Sequence, residues 1–125
     1  MSDMTLTVLA IASILAVIAV VVVLQVVGPT RLGGKNISID GDRARALVAD
    51  GAVLLDVRTP GEFASGHLDH AINIPLQQLQ KRHSEVPQGP VVLYCQSGIR
   101  SARAAAVLHS AGREEIYDLG RMSSW

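Results

Sequence analysis

Val91-Val92-Leu93-Tyr94-Cys95-Gln96-Ser97-Gly98-Ile99-Arg100 is the stretch that decides how this chain reads. An apolar, β-favouring run stops at Cys95, the only cysteine in 125 residues. A short polar loop follows, and Arg100 opens an alanine-rich helix read over 101–111. A strand that feeds a tight loop and then a helix sets the sulfur at a helix N-terminus. Unpaired N–H groups and the helix dipole favour an anion there, and a thiolate so placed has a depressed pKa. Gln96 and Ser97 are polar, and Gly98 permits conformations that turn several N–H groups inward. Ile99 completes the loop, and the Arg100 guanidinium is planar and suited to an oxyanion. A lone cysteine ending a strand is more often a small buried hydrophobe. The residues after Cys95 argue instead for a reactive thiol held in an anion-binding loop.

Upstream, Val53-Leu54-Leu55-Asp56 is a second compact apolar run closed by an acid, consistent with a buried parallel strand. Around these two runs the pattern predicts a short strand in 36–39 and a helix capped by Asp40 or Ser38. That helix carries Ala44, Leu47 and Val48 at helical spacing and ends at Gly51. Thr59-Pro60-Gly61-Glu62 suits a brief helix broken by Ser65-Gly66. A strand in 71–75, a helix over 76–82 and a last strand over 116–119 complete the series. Alternating strands and helices imply an α/β domain, a parallel sheet covered on both faces with its site at the carboxyl ends of the strands. Asp56 and Cys95 then face one crevice. A buried carboxylate needs a partner, and Arg58 is at hand. The two either form a pair that fixes the loop after the strand, or leave Arg58 as a contact for a substrate anion. Glu62 reads as an electrostatic support for the helix N-terminus, and His67 and His70 as turn and packing residues.

Eleven basic and eleven acidic residues give a net charge of zero, and aromatic residues make up 3% of the chain, so nucleic acid is excluded as a partner. One cysteine allows neither an intrachain disulfide nor a multi-cysteine zinc site. No metal or cofactor is expected.

The N-terminal region is of another kind. After a short tail, 1–5, the span 6–27 is apolar except for Thr7, Ser13 and Gln25. A helix of that length crosses a hydrocarbon core of about 30 Å. A cleaved signal peptide has basic residues before a shorter apolar core, whereas Met1-Ser2-Asp3-Met4 carries none. The segment 28–35, with Gly28-Pro29 and Gly33-Gly34, reads as a linker, and 36–125 as the folded domain. Arg31 and Lys35 follow the span while no basic residue precedes it. The expectation is a single-pass membrane protein with its C-terminal domain in the cytoplasm.

The loop from Cys95 to Arg100, with glycine in fourth place, is similar to that of the rhodanese family. So are Leu55-Asp56-Val57-Arg58-Thr59-Pro60-Gly61-Glu62-Phe63, Gly66-His67-Leu68 and Ala71-Ile72-Asn73-Ile74-Pro75-Leu76. Ser101-Ala102-Arg103-Ala104-Ala105 and Asp118-Leu119-Gly120…Trp125 also resemble the family, in the same order. The chain departs from it at Arg121, where a second glycine is common. The resemblance implies an α/β, rhodanese-like small parallel sheet with helices on both faces, preceded by one N-terminal transmembrane helix. It implies a sulfurtransferase in which Cys95 takes sulfur from a small sulfur-containing anion such as thiosulfate and, through a persulfide, passes it to cyanide, a thiol or an acceptor protein. Cys95 is the expected catalytic residue. Gln96, Ser97, Gly98, Ile99, Arg100 and Arg58 are expected at the substrate, with Asp56 as support. Two alternatives stand beside this reading. One is a non-enzymatic membrane-tethered docking module of the same fold. The other is a cysteine phosphatase or arsenate reductase, although phosphatase loops resemble Cys-x5-Arg and this one is a residue shorter.

Overall fold

The computed structural model describes residues 2–26 and 36–125, and the chain divides into two units, Met1–Leu32 and Gly33–Trp125. Val27 and the expected linker, 28–35, lie outside the described residues. In the first unit, helix α1 runs from Ser2 to Val26, so residues 2–5, read as a tail, belong to the helix. Asp3–Val23 has a mean hydropathy of 3.1 and is long and apolar enough to cross a membrane. Two of its hydroxyls are satisfied on the helix backbone: Thr7 Oγ1 donates to the Asp3 carbonyl at 2.6 Å and Ser13 Oγ to Leu9 at 2.9 Å. Bonding back to the carbonyl four residues earlier leaves neither hydroxyl unpaired on this apolar helix.

The second unit comprises β1 (Ile37–Ser38), α2 (Gly41–Ala49), β2 (Val53–Asp56), α3 (Pro60–Ala64) and β3 (Ile72–Asn73). It continues with α4 (Leu76–Arg82), β4 (Val91–Cys95), α5 (Ile99–Ser110) and β5 (Ile116–Arg121). The strands are parallel throughout, in the order β1-β5-β4-β2-β3. β4 is therefore central, and all five of its residues are buried. Its side chains alternate between the faces, as the pleat requires. Leu93 and Cys95 join Leu79 of α4 and Ala104, Ala105 and Leu108 of α5 on one side. Val92 and Tyr94 join Ala44 and Leu47 of α2 on the other, with Trp125 packed against them. Small residues on α5 let that helix lie close over the sheet, while Leu79, Leu93 and Leu108 are fully buried. Each such leucine stabilises the fold by about 1.5–3 kcal/mol relative to exposure.

The helix starts follow the sequence chemistry. Asp40 accepts the Arg43 N–H at 2.8 Å and caps α2. Thr59 and Glu62 form a reciprocal capping box at α3. Two boundaries differ from expectation, and both lie at the site. α5 starts at Ile99 rather than at 101, because Gly98 sits at φ +97° and turns the chain directly into the helix. β5 continues past 119 to Arg121, because a bulge at Leu119 and Gly120 at φ +80° keep it paired. Tyr94 faces Gly120 and Cys95 faces Arg121. β3 is two residues long rather than the five read over 71–75.

Candidate active site

Asp56 and Tyr94 are register partners at the ends of β2 and β4, so Asp56 and Cys95 come to the same edge of the sheet. The Cys95 residue has no exposed surface. Its Sγ accepts the Gly98 N–H at 3.0 Å and the Ser101 N–H at 3.4 Å. Gly98 caps α5 and offers no side chain to do so. The sulfur takes that place, receiving the N–H of the cap and of the third helical residue, two donors that a helix start leaves unpaired. Burial pushes the thiol up. The Ser101 N–H and hydroxyl, with the N–H groups of Gly98 and Ser97, outweigh it and hold Cys95 below the ordinary thiol value.

The other expected residues divide into two groups. Gln96 and Ser97 are exposed, as is Ile99 at 63%, and Gly98 is half-buried. Arg100 turns to Glu62, its Nη1 at 2.6 Å from Oε1 and its Nη2 at 3.0 Å from Oε2. That carboxylate also accepts the Thr59 N–H at 3.2 Å. Arg100 first, and then Thr59, bring Glu62 down to about 2 against the opposing effect of burial. Arg58 is buried and paired with Asp56, which is fully buried. Its Nε lies 3.0 Å and its Nη2 2.7 Å from Asp56 Oδ2, and Nη2 also donates to the Gly66 carbonyl at 2.7 Å. Arg58 Nη1 reaches the Gln96 side chain at 3.4 Å, which ties the β2 turn to the cysteine loop.

Four residues with a part in this site escaped the sequence reading of roles. Ser101 donates to Sγ, a position readable in retrospect as the third residue of a helix without a capping side chain. Glu62 supports the start of α3 as its sequence suggests, yet it also pairs with Arg100, 38 residues away, and no local pattern signals that. Asn73 donates to the carbonyls of Asp56 and Arg58, each at 3.0 Å, and braces their turn. The Tyr94 hydroxyl accepts the Leu68 N–H at 3.1 Å, and burial followed by Asp56 pushes it up to about 12. His67 stacks on Phe63 with ring centroids 3.7 Å apart.

Beside the loop lies an open depression of about 450 Å³, lined by Arg58, Gly61, Glu62, Ser65, Gly66, Gln96 and Met122. Its wall carries both ion pairs through Arg58 and Glu62, and Cys95 is next to Gln96 but does not line it. Chemically, this edge presents a thiol with converging N–H donors, braced on both sides by carboxylate–guanidinium pairs.

Residues 40–125 match the rhodanese-like domain, and the chain belongs to that family. It is 36% identical over 91 residues to a sulfurtransferase of Allochromatium vinosum, covering 70% of this chain and 85% of that protein. It is 50% identical over 76 residues to the uncharacterized protein YqhL of Bacillus subtilis, covering 59% of this chain but only 60% of that protein's length. Among solved structures, a rhodanese with anions from E. coli superposes with a TM-score of 0.56 at 29% identity, covering 60% of this chain and 92% of that one.

Proposed function

We propose that the chain is a membrane-anchored sulfurtransferase that carries sulfur on Cys95. The observation that carries this reading is the pair of N–H donors aimed at Sγ at the start of α5. The Cys95 thiolate attacks the outer sulfur of thiosulfate. One S–S bond forms, the S–S bond of the donor breaks, and sulfite leaves with the bonding electron pair. The product is an anionic Cys95 persulfide. Cyanide or a thiolate then attacks its terminal sulfur and regenerates the Cys95 thiolate. No second cysteine exists to resolve the persulfide as a disulfide, so the sulfur leaves to an outside acceptor. The N–H donors that now hold Sγ are the groups that steady charge on the sulfur during transfer. Because Cys95 is fully covered, loading requires the loop to open, and exposed Gln96 and Ser97 are the segment best able to move. A rhodanese from E. coli has been solved with anions, in keeping with an anionic substrate for this fold.

The α1 helix serves as the single-pass anchor in this reading, with the domain on the cytoplasmic side, the side favoured by Arg31 and Lys35.

The test is sulfite release from thiosulfate as a function of pH. The rate is expected to rise with pH and level off below 9.0, the ordinary thiol value, because the folded protein lowers the Cys95 pKa and so forms thiolate at lower pH. Hydrolysis of a phosphate ester or reduction of arsenate in place of sulfite release would favour the phosphatase or arsenate reductase alternative. Absence of all three would favour the docking module.

A further inference from the structure

Three arginines stand around the N-terminus of α5, and they differ in what they hold. Arg58 is occupied by Asp56 and the Gly66 carbonyl. Arg100 has both terminal nitrogens on Glu62. Arg121 forms no ion pair among the described residues and is exposed. Yet it ends β5 as the register partner of Cys95. Paired positions on neighbouring strands lie about 4.8 Å apart and leave the sheet on the same side. For Cys95 that is the side of α5. The loop abuts this strand end as well: a Cβ added at Gly98 would lie 3.7 Å from the Gly120 Cα, one residue before Arg121.

A cation beside a helix N-terminus stands against the dipole, and among the described residues no carboxylate pairs with this one. Asp118, the nearest acid along β5, is engaged elsewhere. Its Oδ1 accepts the Gly120 N–H at 2.8 Å, and its Oδ2 accepts from Asn36 at 3.3 Å. Asp56 and Glu62 each neutralise one arginine and leave the third, on the residue paired with Cys95, without a carboxylate partner among the described residues. Arg103, also exposed on α5, lies beyond the first turn, where the dipole no longer acts.

We propose that Arg121 determines the donor specificity of this site by receiving the oxyanion end of the molecule whose outer sulfur meets Cys95. This inference rests on the sulfurtransferase reading and adds the residue that discriminates among donors, with selectivity rising with donor charge. The role falls to Arg121 because Arg58 and Arg100, the arginines the sequence pointed to, are already bound to carboxylates.

The test uses the full chain in a non-ionic detergent and follows single-turnover sulfur loading from two donors. Thiosulfate is a dianion that releases sulfite, and methanethiosulfonate is a monoanion that releases methanesulfinate. A unit charge about 7 Å from a dianion in a high-dielectric surface predicts that Arg121→Gln raises the half-saturating thiosulfate concentration roughly five- to tenfold. The same arithmetic gives roughly two- to threefold for methanethiosulfonate. The saturated rate stays near wild type in both cases, and Arg121→Lys restores most of the affinity. If wild type and Arg121→Gln half-saturate together while both load sulfur, the Arg121 assignment is overturned and the sulfurtransferase reading stands. A fall in saturated rate without a change in half-saturation also overturns it, because that is the mark of a structural role. If wild type gains no sulfur from either donor, both fail together.

Discussion

Replacing Cys95 by alanine is expected to lower thiocyanate formation from thiosulfate and cyanide by about 10³-fold or more, the scale on which loss of a covalent nucleophile is felt. The sulfur forms and breaks every bond in the proposed cycle, and the chain has no other cysteine to take over. Alanine also leaves the Gly98 and Ser101 N–H groups without the acceptor they now have, so part of any loss could come from a distorted loop. Cys95→Ser separates the two effects. The hydroxyl keeps an acceptor in the same place, so the fold is retained, yet it forms no persulfide and turnover is lost equally. Turnover by either variant within tenfold of wild type would contradict the assignment of Cys95.

The second large effect is on stability. Asp56→Asn leaves the Arg58 guanidinium buried against a neutral amide, and removing one partner of a buried ion pair costs about 3 kcal/mol or more. The geometry adds to the cost. Arg58 Nε and Nη2 both address the carboxylate, and an amide nitrogen on that side would meet a donor with a donor. Urea unfolding of the protein in detergent, followed by the fluorescence of Trp125, the one tryptophan in the chain, measures this. Trp125 packs against the cluster that contains Tyr94, so it reports on the sheet. The double variant Asp56→Asn, Arg58→Met is expected to recover much of the loss, because the unpaired charge is then gone. Breaking the exposed Asp42–Arg45 pair serves as the control and is expected to change little. A loss on Asp56→Asn no larger than that control would mean that the pair does not hold the β2 turn.

How far the sequence could be read depended on the distance over which each feature is determined. The helix over 76–82, the helix opening at Thr59-Pro60-Gly61-Glu62 and the strand ending at Cys95 are set by neighbours in the chain, and the local pattern is enough to place them. The start of α5 was misplaced by two residues. Sequence shows that Gly98 can take the left-handed conformation, but not that the helix begins directly after it at Ile99. The end of β5 was missed because its pairing beyond Leu119 depends on a bulge against Tyr94. The sheet order was out of reach for a similar reason. Alternation fixes parallel strands, but nothing local shows that β1 joins at β5.

At the site, the contrast between Arg58 and Arg100 makes the same point. Arg58 lies two residues from Asp56, so its pairing could be foreseen as one of two readings. Arg100 was read as free for an oxyanion because its partner, Glu62, is 38 residues away in the chain. The sequence marks Arg121 as a departure from the family, but its pairing with Cys95 depends on the bulge in β5. Only with the two other arginines seen in their pairs does its lack of a carboxylate partner among the described residues stand out.

The measurement that bears most directly on the central claim is the intact mass of the full chain after exposure to thiosulfate. One added sulfur, about 32 Da, is predicted on the wild-type protein, removed by cyanide and absent from Cys95→Ser, as expected of a reversible persulfide. No added mass on the wild type, or the same addition on Cys95→Ser, would contradict it.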